Sequence, residues 1–177
     1  RACVVVVVVC GVLILTGAAP QSRAARVHGR LQLTVFDVGQ GDALLVETPA
    51  GRTLMIDSGG VGFDGAAFDI GGRVLTPALW ARGVRRLDVL AITHGDPDHI
   101  GGAAALVRDL APRELWEGVA VPRHHPSHAL RRLAVEQGLR SVQQFTGATV
   151  LLDDVRVRVL HPPIPDWERQ RIRNDDS

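Results

Sequence analysis

The sequence predicts an α/β fold of sheets covered by helices, and three observations carry that expectation. Strand-like segments come first as neighbours, from Leu31 to Ser58, and afterwards alternate with helical patterns. A short apolar run, Leu87 to Ile92, reads as a buried strand and opens directly on the polar stretch THGDPDHIGG, Thr93 to Gly102. The chain has 177 residues, 46% of them hydrophobic, which suffices for one domain with a core plus an extra segment.

The extra segment comes first. From Ala2 to Ala19 eighteen residues run without a charge, enough to span roughly 27 Å as a helix, about the hydrocarbon thickness of a bilayer. Its Val run favours a strand in water, but a lone strand in lipid leaves its backbone unpaired, so a transmembrane helix is expected over residues 1–19. A signal peptide is the competing reading, because Ala18-Ala19 resembles a small-residue cleavage site. The absence of a leading Met suits a chain cut from something longer. Residues 20–30 are a polar linker, and its Arg23, Arg26 and Arg30 taken alone would put that flank in the cytoplasm by the positive-inside rule, an orientation that neighbouring spans can overrule.

The globular part is expected over residues 31–177. LQLTVFDV, ALLVET and RTLMIDS alternate as half-buried strands and form an antiparallel meander. A helix follows from about Arg73 to Arg82, closed by Gly83, and then the strand at Leu87. After the polar loop, Gly101-Gly102 lead into the helix AAALVRDL. ELWEGVAVP supplies a strand and HALRRLAVEQG a helix ended by Gly138. VQQFT, ATVLL and VRVRVLHP complete the strands, with a turn at Asp153-Asp154 and with Arg156 and Arg158 on a solvated face. The final RQRIRNDDS stops without a closing element, so the domain is expected to be incomplete at its C-terminus.

Chemistry concentrates in the polar loop. His94, Asp96, Asp98 and His99 put four metal-capable side chains within six positions at the mouth of a strand. Imidazoles and carboxylates so crowded repel or stay badly solvated unless a divalent cation turns crowding into coordination. The plainer reading, in which Asp96 or Asp98 caps the following helix, explains one aspartate but not two flanking histidines. Cys3 and Cys10 both precede the domain, so it has no thiolate site or disulfide framework and its metals require nitrogen and oxygen ligands. A net charge of +1 gives no global pull toward nucleic acid.

THGDPDHIGG resembles the H-x-[HD]-x-D-H signature of the metallo-β-lactamase superfamily, and Phe36 to Gly60 is similar to that superfamily's opening hairpins. Within it, DVGQGDA, FDIGGRVLTPALWARGVRRLD, the Asp at position 96 and VLHPP look like the C-terminal domain of ComEC-type DNA-uptake channel proteins. The resemblance implies an αββα sandwich, of which this chain holds the first part. It also implies two divalent metal ions, manganese or zinc with magnesium as a further option. His94 and Asp96 would ligate the first ion, Asp98 and His99 the second, and Asp57 would support the ligands from behind. Asp98, between the ions, would orient the attacking water. Asp37, Gln40 and Asp42 match the family's DVGQGD turn, with a structural or pocket-lining role. Asn174 and Ser177 resemble an N-D-x-S element that stands near where relatives place a third histidine.

The implied function is metal-dependent phosphodiester hydrolysis of DNA, as a single strand at an uptake pore. The domain would be extracytoplasmic, at the cell membrane, within a multispan channel protein. A catalytically vestigial DNA-guiding domain and an exported small-molecule hydrolase are the alternatives. Arg123, His124, His125 and His128 form either a phosphate-binding edge or a third metal locus, or more plainly an exposed loop and helix start. His161 reads as a turn residue, and Trp80, Trp116 and Trp167 as core or linker packing.

Overall fold

The computed structural model describes residues 29–60, 68–121 and 124–164. The expected membrane helix, most of the linker, and Arg123, Trp167, Asn174 and Ser177 lie outside these residues. Among the described residues no helix is long and apolar enough to cross a membrane.

The expected meander is present. β1 (Gln32–Val35), β2 (Leu44–Glu47) and β3 (Thr53–Ile56) pair antiparallel, with Leu45 opposite both Thr34 and Met55. From β3 onward the sheet turns parallel through β4 (Val89–Ile92), β5 (Glu114–Glu117) and β6 (Arg140–Gln143), giving six strands in chain order. Parallel neighbours need crossovers, and the helices supply them. A π-turn at Gly71–Leu75 and α1 (Thr76–Ala81) lie between β3 and β4. α2 (Pro97–Ile100) and α3 (Ala103–Leu110) join β4 to β5, and α4 (His125–Glu136) joins β5 to β6. Gly83 ends the α1 region with φ 82°, as the sequence predicts.

Alternation gives the sheet two apolar faces. Leu45, Met55, Leu90 and Leu115 point to the helices and are buried with Leu79, Leu106, Leu110 and Leu130. On the other face Leu54, Val89 and Trp116 pack on Leu152 of a separate hairpin, β7 (Thr149–Leu152) and β8 (Val155–Arg158). Asp153 takes φ 55° in the hairpin turn, and its carboxylate accepts from Thr48 Oγ1 at 3.1 Å and Arg52 Nε at 3.4 Å. Arg52 also pairs with Asp88 at 3.3 Å, tying the turn to the end of the sheet where β3 and β4 begin.

Two layers of the expected sandwich are therefore well represented and a third in part. The hairpin leaves part of its face of the sheet open. Leu33 lies opposite Val46 and Val35 opposite Leu44, in line with Leu54 and Ile56, yet Leu33 and Val35 are 61% and 67% exposed. Trp80 corrects the packing expectation: it is exposed, with the Arg85 guanidinium 5.7 Å from its ring centre. Trp116 is buried as expected.

Candidate metal centre

Because β3, β4 and β5 run parallel, the chain leaves all three at one edge of the sheet. That edge brings together Asp57 after β3, Thr93 to His99 after β4, and Gly118 after β5. Asp57 is the anchor. It is 2% exposed and holds φ 56°, a conformation that costs a non-glycine residue about 1 kcal/mol. Its Oδ1 accepts from the Thr93 backbone N–H at 2.8 Å, while Oδ2 accepts from Thr93 Oγ1 at 2.7 Å and His99 Nδ1 at 2.8 Å. A buried carboxylate needs such partners, and these three also fix the rest of the site.

The proton count follows from Asp57. His99 Nδ1 donates to it, so a neutral His99 ring presents a bare lone pair at Nε2. The single Thr93 hydroxyl proton also goes to Asp57. Thr93 Oγ1 can then only accept from His94 Nδ1, 3.1 Å away, which leaves His94 Nε2 bare as well. Each bare nitrogen faces a carboxylate oxygen: His94 Nε2 lies 3.3 Å from Asp96 Oδ2, and His99 Nε2 lies 3.8 Å from Asp98 Oδ2. Lone pair opposes lone pair in both, and a cation between them resolves the conflict. Protonating both rings instead would put two imidazolium charges at a centroid separation of 4.1 Å. The donor set, two imidazole nitrogens and carboxylate oxygens, suits zinc, manganese or magnesium.

The capping alternative fails on geometry. Asp96 does occupy the N-cap position of α2, but its side chain makes no capping hydrogen bond. The structure also corrects the expectation that one open loop carries all four residues, since Asp98 and His99 lie on the single turn of α2. Pro97 starts that turn with its fixed φ. Ser58 holds the turn in place, its N–H and Oγ both donating to the His99 carbonyl at 2.8 Å.

Asp42 comes closer to the chemistry than the sequence reading placed it. Asp42, Asp57 and His99 each offer a ligand atom within 4.8 Å of the others, although the hydrogen bonds of Asp57 already engage both its oxygens. The cause is Gly41, with φ 82°, where any Cβ would overlap the Asp98 carbonyl. Two glycines around Gln40 were the available signal. Asp37 instead accepts from the Gly39 N–H at 3.1 Å and shapes the turn, and Gln40 is exposed.

His124 caps α4, which begins at His125 rather than near His128 as the sequence suggests. Its Nδ1 accepts from the Ser127 backbone N–H at 3.3 Å and lies 2.9 Å from Ser127 Oγ. Burial holds its pKa below the usual histidine value; the Asp96 carboxylate opposes that, and His125 and His128 add to it. His125, His128 and His161 are exposed.

A model of the metallo-beta-lactamase superfamily matches residues 36–176, and the chain belongs to that superfamily. It is 30% identical over 144 residues to ComE operon protein 3 of Bacillus subtilis (strain 168), an alignment covering 76% of this chain and 19% of that protein. It is 42% identical over 95 residues to competence protein ComA of Neisseria gonorrhoeae, covering 54% of this chain and 13% of that protein. The chain thus spans less than a fifth of the length of these ComEC-type competence relatives. The structure of the metallo-beta-lactamase SMB-1 with mercaptoacetic acid superposes with a TM-score of 0.51 at 17% identity, covering 76% of this chain and 51% of that one, a likeness of fold.

Proposed function

We propose that this chain is the metal-dependent hydrolase domain of a membrane-bound DNA-uptake protein, cleaving phosphodiester bonds of single-stranded DNA outside the cytoplasm. The observation that carries the chemistry is the pair of opposed acceptors, His94 with Asp96 and His99 with Asp98. They would hold two divalent ions, manganese or zinc with magnesium as a further option. Ions bound there supply acidified water and neutralise phosphate charge. Asp57 holds His99, and through Thr93 also His94, with their free nitrogens turned outward. Asp98, beside His99 and half-buried, orients the attacking water and accepts its proton. An Asp rather than a third imidazole at position 96 makes the first locus rich in oxygen, which favours phosphoryl over acyl substrates. The competence names of the relatives support DNA as the substrate.

The test is cleavage of end-labelled single-stranded DNA by the full-length domain with added manganese, zinc or magnesium. Asp98→Ala should lower the rate by at least about a hundredfold while preserving the fold. An Asp98→Ala protein as fast as the wild type overturns the assignment. DNA binding without cleavage by either protein would point to a guiding role instead.

A further inference from the structure

A cavity of about 310 Å³ lies between the large sheet and the β7–β8 hairpin. Its floor is a row across three strands, because Ile56 pairs with Ala91 and Ala91 with Trp116 in parallel register. The small Ala91 between two bulky neighbours leaves the hollow, and Val157 of the hairpin walls it. At one end it is lined by Thr93, Gly118 and Gln144, which follow directly on β4, β5 and β6. Crevices at the carboxyl ends of parallel strands are where sheets of this kind bind ligands. Thr93 belongs to both places. It lines the cavity, and its hydroxyl donates to Asp57 at 2.7 Å and accepts from His94 Nδ1 at 3.1 Å. The cavity therefore adjoins the metal centre through one side chain.

The lining limits what fits. Its walls are mostly apolar and include the Trp116 indole, and the Glu117 carboxylate among them is already held by Arg131 at 2.9 Å. A charged group gains little there, whereas a flat neutral ring buries both its faces. At the strand ends the Gln144 amide brings a donor and an acceptor, the pair that reads the edge of a base. We infer that this cavity is a nucleobase pocket, serving the nucleotide whose phosphate lies at the metal centre beyond Thr93. The inference rests on the proposed phosphodiester reading and deepens it. The ions take the charged part of the nucleotide, the cavity takes its neutral ring, and the sugar crosses Thr93. A base of single-stranded DNA enters such a pocket without the cost of unpairing.

The probes are thymidine 5′-monophosphate, phenyl phosphate and inorganic phosphate, each titrated into the zinc-loaded full-length domain. Burial of the base should give the nucleotide an affinity about tenfold above that of inorganic phosphate. Ala91→Leu fills the floor and leaves the backbone bond from the Asp57 N–H to the Ala91 carbonyl in place. The advantage of the nucleotide over inorganic phosphate should then disappear. In the methyl spectrum of the wild type, nucleotide should shift the Ala91 and Val157 signals and inorganic phosphate should not. That spectrum decides even if the variant fails to fold. Nucleotide bound no more tightly than phosphate, an advantage kept in Ala91→Leu, or unmoved methyl signals overturns the inference. An equal gain from phenyl phosphate overturns the assignment to a base, since any ring would then suffice. Nucleotide held in the cavity without any DNA cleavage would sink the hydrolase reading and leave this one standing. Cleavage with no nucleotide advantage does the reverse.

Discussion

At the scale of single residues, one buried carboxylate sets the proton positions of two histidines. Asp57 consumes the Thr93 hydroxyl proton and the His99 Nδ1 proton, and the shortage passes on to His94. Thr93→Val tests this directly, because Val keeps the shape and removes the hydroxyl. It leaves Asp57 with one fewer donor and His94 Nδ1–H without an acceptor, at a cost of about 1–3 kcal/mol in metal-free stability. Calorimetry should show affinity at the His94–Asp96 locus falling roughly 10- to 100-fold, with the His99 locus changed less, because His99 keeps its bond to Asp57. Equal losses at both loci would mean that Thr93 acts on the whole loop rather than on one tautomer. The candidate ligands were legible from the spacing of His94 to His99. The outward turn of their free nitrogens was not, since it depends on Asp57, 36 residues before Thr93.

At the scale of elements, short helices place the chemistry. The sequence shows strand, polar stretch and helix around Asp96, and it marks the end of α4 at Gly138. It hides the one-turn α2, whose four residues are too few for a periodic signal. It also hides the start of α4, because a histidine is an uncommon cap and Pro126 reads as a breaker when it stands in the first turn. That cap has a pH consequence. The pKa of His124 is lowered in the fold, so below the ordinary histidine value of about 6.5 the unfolded chain takes up the proton first. Its contribution to stability is complete above that value and is lost as pH falls through it toward the lower folded pKa. Amide exchange in the first turn of α4 should quicken across that window in the wild type, and His124→Asn should remove this component. A pH-independent first turn would contradict the Nδ1 cap.

At the scale of the molecule, the six-stranded sheet faces helices on one side and a small hairpin on the other. The hairpin is pinned through Asp153 to Arg52 and Thr48, away from the metal edge, while Leu33 and Val35 stay in the open part of the same face. Replacing both with Thr should cost less than about 1 kcal/mol, because neither is buried and Thr suits a strand. It should also reduce self-association in sedimentation and the binding of a hydrophobic dye. Unchanged association would place the sticky surface elsewhere. The strand order was legible in outline, because paired strands followed by alternating strands and helices admit few layered arrangements. That the opening falls at Leu33 and Val35 was not legible, since both alternate along β1 as core-facing residues do.

The sequence by itself determined the strands, most helices and the metal-capable set, since each depends on periodicity or on spacing within a few residues. Tertiary structure alone decided which nitrogen of each histidine is free and that Asp42 comes within reach of Asp57 and His99. Those outcomes depend on which strands lie side by side at one sheet edge and on where a single proton goes when a buried carboxylate and an imidazole meet the same hydroxyl.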